Sequence, residues 1–230
     1  MRASPRPSEF YLLSFAVSAC SLIYEFVIAQ TLAAVWGGTL LCYALVIGGF
    51  TLAMGLGSMS VAHVKDRQSA WFQLLRVEVL LTLVGTLGPW CVLALDPVHW
   101  PESFSLVLRV GSFAPCLAIG WYTGKELPLM MEIVTNHSQA LKVMACDYLG
   151  MFAGSLLFPL LLLPELGVWG TGLLVATINA VAALWILWRA PQAIDRLWGS
   201  LQALQFIALL VAWTQIDGLT DFATSWFIHG

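Results

Sequence analysis

The stretch "MACDYLGMFAGSLLFPLLLLPELG", residues 144–167, indicates the class of fold. It contains no charged residue between Asp147 and Glu165. An uncharged apolar run of this kind approaches the length of a helix that crosses a lipid bilayer, which needs about 20 residues. Similar runs recur along the chain, of which 60% is hydrophobic and only 10% charged, whereas roughly 25% of a soluble domain is charged. The sequence therefore predicts an all-α fold, a polytopic bundle of membrane-spanning helices.

Hydropathy predicts about seven spans in a single domain that covers residues 1–230. The predicted spans are residues 10–34, 39–62, 71–94, 104–123, 144–164, 167–188 and 197–215. Between the fourth and the fifth span lies "TGKELPLMMEIVTNHSQALKV", which is too polar for a span and too apolar for an open loop. With Pro128 near its start, this segment predicts a short interfacial or re-entrant helix.

The basic residues predict an orientation. With seven spans, nine of the ten lysines and arginines fall on one side of the bilayer. These nine are Arg2, Arg6, Lys65, Arg67, Arg76, Lys125, Lys142, Arg189 and Arg196. Because short cytoplasmic loops carry an excess of Lys and Arg, the N-terminus is expected in the cytoplasm and the C-terminus outside.

Several classes of function are disfavoured by what the sequence lacks. No basic patch suggests nucleic-acid binding. The five cysteines fall singly in apolar segments, and no cysteine or histidine spacing predicts a metal site or a redox pair. No sequence pattern pairs a nucleophilic residue with a general base. The residues themselves therefore predict no catalytic group and no cofactor.

An ionisable residue inside an apolar span costs free energy on insertion into the membrane, so each one needs an explanation. Glu25 and Glu78 both lie inside predicted spans. Glu25 either pairs with a tyrosine, an amide or Arg76 and so holds the bundle together, or it binds a cation or a proton. Tyr24, beside Glu25, offers an aromatic face to which an ammonium group could bind. Glu78 and Arg76 are expected to be structural.

Two further carboxylates, Glu126 and Asp147, flank the segment between the fourth and the fifth span. One interpretation is helix capping, since a carboxylate at a helix start offsets the helix dipole. The other is a ligand site, to which Tyr148 beside Asp147 would add an aromatic face. Both interpretations stay open from the sequence.

Small residues recur at regular spacing in the fifth span. Gly150 and Gly154 form a GxxxG pair, a spacing that lets helix backbones approach closely. The pair predicts either packing inside one bundle or the seam of a dimer, and internal packing is favoured.

Four stretches resemble, in order, the membrane region of the bacterial membrane-bound spermidine synthase-like proteins. They are "YEFVIAQTLAAVWGGTLLCYALVIGGFTLAMGLGS", "GKELPLMMEI", "CDYLGMFAGSLLFPLLLLPELG" and "INAVAALW", within about residues 10–190. The resemblance implies a bacterial inner-membrane location and a helical bundle that precedes a soluble Rossmann-type aminopropyltransferase domain. That domain would bind decarboxylated S-adenosylmethionine and a polyamine.

The positions of that soluble domain have no counterpart in this sequence, so none of its catalytic residues is carried over. The residues that match the membrane region are Tyr24, Glu25, Glu126, Pro128, Asp147, Tyr148, Gly150 and Asn179. The family's substrate is expected in the cytoplasm, whereas the charge count puts the C-terminus outside. Either the last span does not cross, or the soluble domain works outside, or the count misleads.

The function expected from these observations is a non-catalytic membrane subunit, which is not an enzyme on its own. It would anchor or supply a soluble aminopropyltransferase-like partner or bind another membrane subunit. Glu25, Glu126 and Asp147 would form an anionic site for a polyamine or another organic cation. The alternatives are a small cation or polyamine transporter, a structural subunit of a membrane complex, or, least favoured, a membrane enzyme acting on lipid.

Overall fold

A computed structural model describes residues 7–64, 66–96, 101, 103, 105–134, 136–189 and 196–229. These residues are almost entirely helical, and no strand occurs among them. The α-helices are α1 (Pro7–Trp36), α2 (Thr39–Ser60), α3 (Arg67–Ala94), α4 (Ser105–Gly111), α5 (Ala114–Ile133), α6 (His137–Leu157), α7 (Leu163–Arg189), α8 (Arg196–Thr214) and α9 (Ile216–His229). A π-helical turn, Phe158–Leu162, joins α6 to α7. The prediction of an all-α fold is confirmed.

Six helical segments are long and apolar enough to cross a membrane. One of them, His137–Arg189, has 53 residues and would measure about 80 Å at 1.5 Å per residue. This length is more than twice the thickness of a bilayer's hydrocarbon core, which is about 30 Å. Gly167, near the start of α7, interrupts the segment with a positive φ of 64°. The helices α6 and α7 have 21 and 27 residues, each close to the length of one span. Arg2, Arg6 and Lys65, which entered the orientation count, lie outside the described residues.

The separate interfacial or re-entrant helix between spans four and five is not found, and that prediction is wrong. The first part of the segment continues α5 to Ile133, and its last part begins α6 at His137. The Asn136 side chain caps α6 by accepting a hydrogen bond from the Ser138 N–H at 3.0 Å. The polar residues do not end α5, because Glu126 points inward and is only 2% exposed. Pro128 is accommodated inside the helix.

Close backbone contacts hold α1 and α6 together. A Cβ atom built on Gly150 would lie 2.2 Å from the carbonyl oxygen of Phe15. A Cβ atom on Gly154 would lie 2.7 Å from the carbonyl oxygen of Ala19. Only glycine fits at this separation, because real Cβ atoms do not approach other heavy atoms so closely. In this structure the GxxxG pair therefore lies against a helix of the same chain.

The helices α2 and α5 approach in the same way. A Cβ atom on Gly124 of α5 would lie 1.9 Å from the carbonyl oxygen of Met54, and one on Gly57 of α2 would lie 2.1 Å from that of Trp121. These contacts fix the positions of α1, α2, α5 and α6, which surround a cavity.

Candidate functional site

A cavity of about 740 Å³ lies between α1, α2, α5 and α6. This volume is within the range of small-molecule sites, about 300–1,000 Å³. Two carboxylates line it, those of Glu132 on α5 and Asp147 on α6. Its remaining surface combines hydroxyl groups with apolar side chains, among them three methionines, Met54, Met131 and Met151. The cavity can therefore accept a ligand that is both cationic and partly apolar.

Asp147 is half-buried in the wall of the cavity, where α1 meets α6. The hydroxyl of Ser18 donates a hydrogen bond to its carboxylate. One turn earlier in each helix, the hydroxyl of Ser14 donates to the carbonyl oxygen of Val143 at 3.0 Å. Asp147 stands in the middle of α6, and the expectation that it caps a helix start is therefore wrong.

Glu126 lies deeper in the bundle and is 2% exposed. Its carboxyl group accepts a hydrogen bond from the hydroxyl of Ser21 at 3.2 Å. The group lies within electrostatic range of both Asp147 and Glu78. Glu126 also stands inside α5 and not at its start, so capping does not explain it either. Three carboxyl groups from α3, α5 and α6 thus form a row that leads inward from the cavity, Glu78, Glu126 and Asp147.

The inner end of the row is Glu78, whose side chain is fully buried. Within the described part of the chain, neither of its carboxyl oxygens receives a hydrogen bond from a neutral donor or a basic side chain. The Tyr24 hydroxyl, also buried, has no hydrogen-bond partner among the described residues and lies within electrostatic range of Glu78 and Glu126. Two buried carboxyl groups within electrostatic range of each other cannot both be ionised without a large penalty.

Arg76 does not neutralise this row. Its side chain is exposed and its guanidinium lies 4.9 Å from the ring centre of Trp198, on a different face of α3 from Glu78. Over the described residues, no ion pair joins Arg76 to Glu25 or Glu78. The pairing considered from the sequence is thus not formed.

Glu25 is buried but belongs to another part of the bundle. Its side chain is 3% exposed and lies within electrostatic range of the Cys116 thiol on α5. The structure places Glu126 within electrostatic range of Asp147 and Glu78, whereas Glu25 lies near Cys116. Tyr148 lines the cavity with a ring that is 61% exposed. Asn179 on α7 is fully buried, and its amide has no partner within the described residues.

Sequence reasoning missed Glu132, Ser18 and Ser21 as site residues. The serines had a visible signal, because Ser14, Ser18 and Ser21 recur at helical spacing in "SFAVSACS" and so share one face of α1. Glu132 had no such signal, since nothing in the sequence places it on a cavity wall.

Similar proteins are named as enzymes. This chain is 34% identical, over 96% of its length, to polyamine aminopropyltransferase 1 of Ralstonia nicotianae, of which the match covers 44%. It is 28% identical, over 80% of its length, to a polyamine aminopropyltransferase of Leptospira interrogans, of which the match covers 36%. A polyamine aminopropyltransferase of Mycobacterium tuberculosis is 29% identical over 73% of the chain, which is 33% of that protein. The chain spans less than half the length of these relatives.

No family model matches the chain. No solved structure matches it either. The names of the relatives contradict two expectations from the sequence, namely that the protein is a non-catalytic subunit and that it is not an enzyme. Over most of its length, this chain is homologous to part of proteins named polyamine aminopropyltransferase.

Proposed function

We propose that this chain is the membrane-spanning part of a polyamine aminopropyltransferase and that its cavity binds a polyamine. The observation that carries the proposal is the similarity to a protein of that name over 96% of the chain. The lengths and apolar character of the helices support a membrane location. The relatives come from bacteria, which favours the bacterial inner membrane.

The chemistry of the cavity suits a polyamine. Such a molecule alternates ammonium groups with short methylene segments. Glu132 and Asp147 supply anionic acceptors on two different helices, and the exposed ring of Tyr148 supplies a face for a cation. The methionines Met131 and Met151 supply flexible apolar surface for the methylene segments.

The row of carboxyl groups behind the cavity adds to this preference for cations. Glu126 lies within electrostatic range of Asp147, and neither of them is paired with a basic side chain in the described structure. Uncompensated negative charge in a site walled by apolar helices raises the local concentration of cations. The cavity is therefore expected to exclude anions and to favour ligands with more than one positive charge.

The position of the cavity favours access from the cytoplasm. Ala140, one of its lining residues, lies half a turn from Lys142 near the start of α6. Lys125 is in the same part of α5 as the lining residues Gly124 and Leu127. Because lysines gather on the cytoplasmic side of membrane proteins, this end of the bundle would face the cytoplasm.

Equilibrium binding of radiolabelled spermidine to the purified chain in detergent tests the proposal. We expect the double variant E132Q/D147N to bind at least about tenfold more weakly, since a hydrogen bond to a charged group contributes roughly 1.5–3 kcal/mol. The matched control is D217N/D221N, which removes two exposed carboxylates from α9, outside the cavity lining. Equal binding by the two double variants would contradict the proposed site.

A further inference from the structure

A second cavity, of about 230 Å³, lies between α3 and α5 and has the opposite charge. Two basic side chains line it, Arg76 from α3 and Lys125 from α5, together with the amide-bearing side chain of Gln73. No carboxylate is among its lining residues. The cavity therefore presents hydrogen-bond donors and positive charge without an anion from the described part of the protein.

The two cations are held close to each other. They are near enough to repel electrostatically. The Arg76 guanidinium lies 4.9 Å from the ring centre of Trp198, and the Lys125 ammonium lies 4.8 Å from that of Trp121. The aromatic rings hold both charges in place but do not neutralise them. An anion bound between Arg76 and Lys125 would remove the repulsion.

The depth of this cavity matches the edge of a bilayer, if α3 crosses the membrane as proposed above. The axial distance from Arg76 to Ala94, the last residue of α3, is about 27 Å at 1.5 Å per residue. The hydrocarbon core of a bilayer is about 30 Å thick. With Ala94 at one boundary, Arg76 lies at the other, at the level of the lipid headgroups. Tryptophan and tyrosine, present as Trp121 and Tyr122, are enriched at this level.

An apolar track leads from the cavity along α3. Arg76, Leu80, Leu83 and Leu87 recur at helical spacing and so share one face of the helix. Leu83 is 38% exposed and Leu87 is 49% exposed. A lipid whose headgroup lay at Arg76 would therefore have apolar side chains beside its acyl chain, whereas a free anion would not use them.

From these observations we propose that Arg76 and Lys125 bind the phosphate group of an anionic phospholipid. Arginine suits this role because its planar fork can donate two hydrogen bonds to one phosphate. Anionic lipids are abundant in the cytoplasmic leaflet, which is the leaflet expected at this end of the bundle. The lipid would tie α3 to α5 at the membrane surface.

Native mass spectrometry of the purified chain tests this proposal. Phosphatidylglycerol and phosphatidylcholine are added in turn to wild type, to R76Q/K125Q and to the control R67Q/K142Q. The control also removes two exposed basic residues, one near the start of α3 and one near the start of α6, outside the cavity lining. We expect R76Q/K125Q to bind phosphatidylglycerol about thirtyfold more weakly than wild type, because two basic contacts at a membrane surface are removed. The control should bind phosphatidylglycerol like wild type.

Equal retention of phosphatidylglycerol by the two double variants would overturn the proposal, and so would equal binding of phosphatidylcholine to wild type. A separate arm adds inorganic phosphate in place of lipid. If phosphate binds wild type and is lost only in R76Q/K125Q, the phosphate site is supported, with a soluble anion as its source. Spermidine binding is measured on the same proteins, because it depends on the larger cavity and so separates failure of the lipid site from failure of the proposed function. Gel filtration of each variant confirms that it is folded.

Discussion

The Ser18 hydroxyl on α1 donates a hydrogen bond to the Asp147 carboxylate on α6, across a sequence separation of 129 residues. This bond fixes the carboxylate in the wall of the cavity. We expect Ser18→Ala to weaken spermidine binding about fivefold, because Asp147 keeps its charge but loses the donor that orients it. The loss is indirect and therefore smaller than the roughly 1.5–3 kcal/mol that a hydrogen bond to a charged group contributes. Titration with labelled spermidine measures the effect. Ser155→Ala, on the exposed side of α6, is the control and should bind normally; an equal loss in both variants would exclude the orienting role.

The burial of two carboxyl groups, Glu78 and Glu126, within electrostatic range of each other predicts an unusual gain of stability. Glu78→Gln replaces one of these carboxyl groups by a neutral amide, which can donate a hydrogen bond to the other. We expect the free energy of unfolding to rise by about 1 kcal/mol, the net contribution of one buried hydrogen bond. Thermal unfolding in detergent measures the change, with Glu165→Gln, which alters an exposed carboxylate of α7, as the control. A clear fall in melting temperature for Glu78→Gln relative to the control would contradict this prediction.

The close approach of α1 and α6 predicts a strict requirement for glycine. In Gly150→Ala the new methyl group would meet the Phe15 carbonyl oxygen at 2.2 Å, so the two helices must separate. We expect the free energy of unfolding to fall by about 1–3 kcal/mol, as for other overpacked sites. Gly48→Ala on α2, whose Cβ would meet nothing within 4 Å, should be neutral or slightly stabilising. Equal stability of Gly150→Ala and Gly48→Ala would contradict the close approach of α1 and α6.

The ion pair between Glu9 and Arg189 joins the start of α1 to the end of α7. Both side chains are partly exposed, at 27% for Glu9 and 16% for Arg189, so the pair is worth about 1 kcal/mol or less. Glu9→Gln should therefore lower the melting temperature slightly, and the difference from wild type should shrink at high salt. Glu165→Gln, which changes an exposed carboxylate of α7, should show no such salt-dependent loss.

The sequence predicted the helical architecture well, because long uncharged runs leave few alternatives to a helix. It failed between residues 123 and 143, where polarity suggested a separate helix. There Glu126 is turned inward onto Ser21, so its charge does not force the chain out of α5. The side of a helix on which one polar residue lies depends on tertiary packing, which hydropathy averages out.

The candidate site was predicted in part. Asp147, Tyr148 and Pro128 stood out by their positions in the sequence, and all three line the cavity. Glu25 was expected to join Asp147, but Glu78 occupies the row instead, since the partners of a buried carboxylate are chosen by which helix faces which. The cavity itself depends on the separation of four helices, and no local pattern records that distance.

Binding of a polyamine in the cavity between α1, α2, α5 and α6 can be tested by photocrosslinking. A diazirine derivative of spermidine is added to the purified chain, and the modified peptides are identified by mass spectrometry. We predict labelling within residues 123–132 of α5 and 147–151 of α6, suppressed by an excess of unmodified spermidine. Labelling confined to helices that do not line the cavity, such as α3, α8 or α9, or labelling that spermidine does not suppress, would contradict the proposed site.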